Sequence, residues 1–295
     1  LTIQLPLLLP LASAALYATA AILVKLAISR GADTWSVTFF SNVSMGLLFL
    51  PLAFFGRESW DWSAVPWGMG AGALFFVGQI ATFRSLSAGD VSIATPALAS
   101  KVVFVALLSL MVPGNRPDPD LWLAVAMTMA GVMLLHRGPR HAASHPLATL
   151  GWALFAALVF AAADLLVQVG APKAGFTLFM PVMFGSVALL SFPTLLPRVL
   201  RGTGVRAGRE AWGWGVAGIL VLAVQAAGMA AAIGLFGNAT GVNVVYSSRG
   251  LWSLLLLGLL ARRLGVTETA LAPGTFALRL LGSMLILAAV VMVLV

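Results

Sequence analysis

Ten apolar stretches of helix length follow one another along this chain, separated by gaps too short to be domains. Read by Gly, Pro and charge, they lie near 5–29, 34–55, 66–87, 91–112, 120–136, 148–169, 175–197, 211–235, 240–261 and 273–295. A helix needs about 20 apolar residues to cross the hydrocarbon core of a bilayer, and each stretch has roughly that length. Soluble domains carry about 25% charged residues; this chain carries 9%, with 61% hydrophobic residues and a mean hydropathy of +1.03. The strands of a membrane barrel would alternate polar and apolar residues, and these runs do not. The expectation is an all-α polytopic membrane protein of ten transmembrane helices. With loops this short, consecutive helices should be antiparallel neighbours.

The same pattern excludes several functions. The first fifteen residues have an apolar core and a small-residue stretch, but no basic n-region, and the apolar run continues to about Ile28. They are therefore read as the first span and not as a signal peptide. A net charge of +8 invites a nucleic-acid reading, yet the basic residues are scattered over short gaps with no stacking aromatics between them. No nucleic-acid partner is expected. With no cysteine there is no disulfide or thiol catalysis. His136, His141 and His145 cluster in the central gap without a nearby acid to complete a metal site, so they read as a solvated loop. No His-Glu-x-x-His motif, Ser/His pair or Gly-rich phosphate loop lies where an enzyme would need it. The chain is expected to be neither an enzyme nor a cofactor protein, which leaves an intramembrane enzyme as a remote alternative.

The two halves of the chain are alike. Tyr17 to Lys25 resembles Phe160 to Gln168, Pro51 corresponds to Pro193, Gln79 to Gln225, and Gly89-Asp90 to Gly237-Asn238. The offsets stay between 142 and 148 residues, so these pairs form one alignment. Five spans per half is an odd number, and the second half must then cross in the opposite sense. That is the inverted repeat common among secondary transporters, which bind substrate near the midplane between repeats. The division expected is 1–140 and 141–295, integrated as one membrane domain.

Within this alignment a short motif occurs twice, as Ser100-Lys101-x-x-Phe104 and Ser248-Arg249-x-x-Trp252. Each sets a cation deep in an apolar span, where insertion scales charge about 2.5–3.5 kcal/mol, so each needs a partner or a wet cavity. Arg offers a planar fork for carboxylate or phosphate, and Lys a compact point charge. Lys101 and Arg249 are thus the leading substrate-binding candidates. The rival reading pairs one of them with Asp164, the acid lying well inside a span, which serves as counter-ion or as proton-coupling carboxylate. Trp252 is the deep tryptophan, while the other eight lie at or near span starts or in adjoining loops, where interfacial belts put them. It either stacks on substrate or packs between helices. Gln79 and Gln225 are polar at mid-span and either bind substrate or tie helices together. Asn243 and Tyr246 precede Arg249 on roughly its face. Asn42 has no twin and reads as a helix–helix bond, Pro96 as a hinge, and Lys25, Arg84 and Arg279 as snorkelling side chains.

On the strength of ten short spans in a five-plus-five arrangement, with Gly89 to Pro96 leading into span four and Gly131 in span five, the chain resembles the drug/metabolite transporter superfamily, EamA-type. The resemblance covers essentially the whole chain, apart from Gly114-Asn115 where Gly-Glu is usual after span four. It implies a basket of helices around a central cavity, lined mainly by spans one, three, four, six, eight and nine, and alternating access by rocking of the repeats. It also implies an anion site, since phosphorylated-sugar translocators of that superfamily hold their anion with basic residues in spans four and nine.

The expected function is a secondary transporter of a small organic anion or zwitterion carrying carboxylate or phosphate, working as exporter or exchanger with a coupling proton or a counter-substrate. An amino-acid or drug exporter with structural cations is the alternative. The expected location is a bacterial inner membrane. Eleven basic residues follow odd-numbered spans and three follow even-numbered ones, so the positive-inside rule puts both termini outside, whereas many relatives are drawn with cytoplasmic termini.

Overall fold

The structure, a computed structural model, describes residues 8–55, 61–88, 91–114, 116–135, 146–201, 207–253, 255–256 and 273–294. Among them every regular element is helical: α1 (Leu8–Ser29), α2 (Thr34–Phe49), α3 (Leu52–Phe55), α4 (Val65–Ala88), α5 (Val91–Ala99), α6 (Lys101–Ser109), α7 (Pro119–Leu135), α8 (Pro146–Ala174), α9 (Phe176–Thr194), α10 (Leu196–Arg201), α11 (Arg209–Phe236), α12 (Ala239–Tyr246) and α13 (Pro273–Leu294). A 3₁₀ turn, Trp62–Ala64, precedes α4.

Local chemistry sets the ends. Asp33 caps α2 by accepting the Ser36 N–H at 3.0 Å, and Asn238 caps α12 by accepting the Gly241 N–H at 2.9 Å. Gly237 stops α11 in the left-handed conformation at φ 66°, which glycine adopts without a Cβ penalty.

The expectation of ten uninterrupted spans needs correction. Among the described residues, six helices are long and apolar enough to cross a membrane, and two shorter apolar ones cover Pro96–Ser109 and Pro119–Leu135. The stretch 91–112 is α5 and α6, divided at Ser100, and the stretch 240–261 is interrupted after Tyr246. The helices also lack a polar face. On α13, Leu280, Met284, Leu287 and Val291 form one exposed stripe while Ile286, Ala289 and Val290 are buried behind it. A stripe of large apolar side chains suits lipid and not water.

Two compact units make up the chain, each drawing on both halves of the sequence. One comprises Ala12–Phe76 and Leu166–Gly237. In it α2 packs on α9 and α11, α3 lies on α9, and α10 lies on α2. Gly46 admits the close approach of α9, because a Cβ there would fall 2.9 Å from the Ala188 Cβ. Phe49 stacks on Phe184 at 4.4 Å, and the buried Asn42 amide donates to Ser191 Oγ at 2.9 Å, the helix–helix bond expected of it. Gly218 of α11 meets Leu23 and Val24 of α1, as Gly70 of α4 meets Leu166 of α8.

The other unit comprises Leu1–Leu11, Val77–Leu165 and Asn238–Val295. Its broadest contact joins α7 to α13, where Gly131 and Gly282 touch. A Cβ on either would lie 2.7 or 2.6 Å from the other's carbonyl oxygen. Val102, Ala106, Ala124, Val125, Val244 and Ala289 form a dry core shared by α6, α7, α12 and α13. α6 packs on α12, so the two Ser-cation segments lie in one unit.

Candidate functional site

Both Ser-cation motifs sit where a helix breaks and resumes. The Ser100 N–H donates to Ala97 O at 3.2 Å, and Ser100 O then accepts from Val103 N at 2.9 Å and Phe104 N at 3.1 Å. With 148 added to each number the same three bonds recur: Ser248 N to Val245 O at 3.1 Å, and Leu251 N and Trp252 N to Ser248 O at 2.8 and 3.2 Å. Each break is a single tightened turn of 3₁₀ type with no left-handed residue. Every backbone donor named stays paired, as an apolar surrounding demands.

The causes differ. Pro96 removes an N–H from the turn before Ser100, and Ser100 Oγ donates to Ala97 O at 2.6 Å. The equivalent of Pro96 is Val244, so in the second break Ser247 acts without a proline, its Oγ donating to Asn243 O at 2.8 Å. Serine back-bonding of this kind bends helices. Pro96 signalled the first break from sequence; the second carried only the weaker Ser247-Ser248 signal.

Lys101 opens α6, with its charge at the positive end of the helix dipole. That arrangement is unfavourable by a few tenths to about 1 kcal/mol unless an anion sits there. The anion is Asp164 of α8. Lys101 Nζ lies 2.7 Å from Asp164 Oδ2, with the two side chains 19% and 14% exposed. Of the two cations, then, it is Lys101 that meets the rival pairing anticipated from sequence. Asn243 Nδ2 donates to the same Oδ2 at 2.7 Å and to Ala239 O at 2.9 Å, so both amide hydrogens are engaged. The Lys101 ammonium also lies 5.9 Å from the centre of the Phe160 ring, one turn before Asp164. A Cβ on Gly78 would fall 2.8 Å from that ring, so α4 closes over it. Phe160 figured in the sequence only as a repeat match. Its role beside Lys101 depends on a crossing of α6 and α8 that no local pattern announces.

Arg249, where the chain resumes its helix, stands 4.9 Å from the centre of the buried Tyr246 ring. Trp252 is half-buried one turn further on. The Ser248 hydroxyl is buried without a hydrogen-bond partner. Gln79 lies half-buried on α4 in this unit, whereas Gln225 is buried on α11 in the other. Lys101, Asp164 and Asn243 are thus brought together, and so are Arg249 and Tyr246. The three histidines and the Gly89-Asp90 turn lie outside the described residues. Lys25 and Arg84 are exposed, Arg84 over the Trp152 ring at 5.4 Å, while Arg279 is half-buried with its Nε covered.

Residues 4–137, a little under half of the chain, match the model of the EamA-like transporter family, within the drug/metabolite transporter superfamily. That is a family of membrane transporters and not of enzymes. No curated protein matches the sequence. The fold is similar to that of a protein of known crystal structure, with a TM-score of 0.73 at 18% identity, over 98% of this chain and 96% of the other.

Proposed function

We propose that this transporter carries a small organic anion across a bacterial inner membrane by alternating access, as an exporter or exchanger, with Lys101 and Arg249 as its anion-binding cations. The observation that carries the reading is the repeated break. The same three backbone bonds deliver a cation to the resuming helix in both spans. Discontinuous helices at the midplane are how inverted-repeat transporters form ion and substrate sites. Trp252, Tyr246, Asn243 and Gln79 would shape the remainder.

An inverted five-plus-five repeat, 1–140 and 141–295, belongs to the same proposal. It is supported by pairs of equivalent contacts. Spans two and seven pack together through α2 and α9, spans four and nine through α6 and α12, and spans five and ten through α7 and α13. The contact of Gly218 with Leu23 mirrors that of Gly70 with Leu166, at the 148- and 143-residue offsets of the sequence repeat. The count of basic residues supports termini on the outside.

A second reading, a zwitterion such as an amino acid, is favoured by Asp164, which sets an acid beside Lys101 and so offers a partner to each charge. Uptake by proteoliposomes tests both. Lys101→Ala and Arg249→Ala should each lower anion uptake at least tenfold, and uptake at the wild-type rate by either variant would sink the proposal. Inhibition by free amino acids but not by phosphate esters or dicarboxylates would select the zwitterion.

A further inference from the structure

We infer that Asp164 is the transporter's proton acceptor, and that its protonation releases Lys101 and Asn243 to the substrate's anionic group, so that one proton moves with each anion. The inference rests on the anion reading above and adds the coupling ion.

The geometry is that of an occupied anion cradle. Two donors from two other helices, Lys101 Nζ and Asn243 Nδ2, converge on the single oxygen Oδ2 of Asp164, each at 2.7 Å. The donors are held independently of the carboxylate. Asn243 is locked by its second N–H on Ala239 O at 2.9 Å, and Lys101 is braced over the Phe160 ring at 5.9 Å. An ionised carboxylate only accepts hydrogen bonds, so the amide nitrogen must face it. An oxygen of a carboxylate, phosphate or sulfonate carries the same charge and lone pairs as Oδ2 and would satisfy the same two donors. The cradle is therefore complementary to an anionic oxygen, and Asp164 fills it when no substrate does.

Charge balance then dictates the coupling. A substrate anion that takes the two donors leaves an ionised Asp164 without them, inside a membrane-spanning helix, where an uncompensated charge is strongly disfavoured. Protonation removes that charge. The proton comes from water on the side to which the site is open and leaves to water on the other side, and only an O–H bond at Asp164 forms and breaks. The titratable and charged groups on the surrounding elements do not alter this account. Lys101 on α6 is the cradle itself. Arg249, two turns beyond Asn243 and over the Tyr246 ring, is the second cation of the anion reading, so after exchange its charge is met by the substrate and not by Asp164. On α4, Arg84 is engaged with Trp152, about 18 Å back along α8 at 1.5 Å per residue.

The test uses purified full-length protein and benzenesulfonate, an anion whose own charge is constant across the range. Binding is measured by calorimetry at about pH 5.5 and about pH 7.5, with a dye reporting proton uptake from weak buffer. Wild type should bind more tightly at the lower pH, by up to about tenfold per unit, and take up about one proton per anion bound. Asp164→Asn, which can still accept from both donors, should bind equally at both pH values with no proton uptake, and Asp164→Glu should restore the uptake. Binding without proton uptake in wild type would overturn the coupling and leave the anion reading standing. Failure of benzenesulfonate, succinate and inorganic phosphate to bind at either pH would overturn both. Infrared difference spectra recorded on adding benzenesulfonate at about pH 7.5 give a direct readout. A carboxylic-acid band that appears on binding in wild type and not in Asp164→Asn is expected, and its absence in wild type would overturn the assignment of Asp164.

Discussion

The two breaks share a backbone and differ in how their charge is completed. At Ser100 the cation is a lysine whose ammonium meets a carboxylate and whose helix start is kinked by a proline. At Ser248 it is an arginine lying over a tyrosine ring, in a segment where Ser247 back-bonds and no proline stands. In the sequence repeat the residue equivalent to Asp164 is Ala21, and the residue equivalent to Asn243 is Thr95. The acid and its amide partner therefore have no counterparts in the other set. The same main-chain bonds recur at both breaks, and this carboxylate with its amide partner stands at Lys101. The lesson is that the two breaks agree in the main chain, where helix packing fixes geometry, and differ at the side chains, where chemistry is done.

The largest expected effect tests whether the Lys101 break depends on its counter-ion. Asp164→Ala should destabilise the protein by about 3–5 kcal/mol, since removing one partner of a buried pair leaves an uncompensated charge. Pairing it with Lys101→Met should recover most of that loss. Tyr246→Leu, the analogous change at the other break, removes a cation–π contact and should cost about 0.5–2 kcal/mol. Denaturation in detergent reads all three, and a Tyr246 variant weaker than Asp164→Ala would invert the comparison.

A smaller contrast lies in the two serines. Ser100→Ala loses the hydroxyl bond to Ala97 O and should cost about 0.5–1.5 kcal/mol. Ser248→Ala removes a buried hydroxyl that has no partner and should be neutral or slightly stabilising. Equal losses at both sites, measured in the same denaturation series, would mean that the Ser248 hydroxyl is engaged after all.

The smallest effect guards the pH experiment. Asp61, exposed in the turn before α4, accepts from Ser63 Oγ at 2.7 Å and Ser63 N at 2.9 Å, and these bonds hold its carboxyl below the ordinary 3.8. Its contribution to stability is fully present above that value and is lost only as pH falls through the lowered one. Asp61→Ser should therefore leave the pH dependence of stability and of anion binding between about pH 5.5 and 7.5 unchanged. A change there would assign part of the titration to the surface instead of Asp164.

Much of this was legible in the chain. Mean hydropathy and gap length gave helix positions close to those found, because a bilayer leaves a backbone few alternatives to the helix. The repeat offsets located both cations, and the lone Asn42 read correctly as a helix tie because a mid-span amide without a twin has packing as its plainest use. What the sequence misjudged was continuity. Pro96 hinted at a hinge, but the second break involves no proline, and a serine bends a helix only when its hydroxyl turns back to the preceding carbonyl, which depends on what surrounds it.

The sequence by itself determined the all-helical membrane class and the twin positions of Lys101 and Arg249 along the chain, since these follow from local hydropathy and from comparing the chain with itself. Tertiary structure alone decided that Asp164 belongs to Lys101, that Asn243 shares its oxygen and that Phe160 braces the ammonium. Those choices rest on how α6, α8 and α12 meet, and a contact between residues 63 and 79 positions from Asp164 leaves no periodic trace in the sequence.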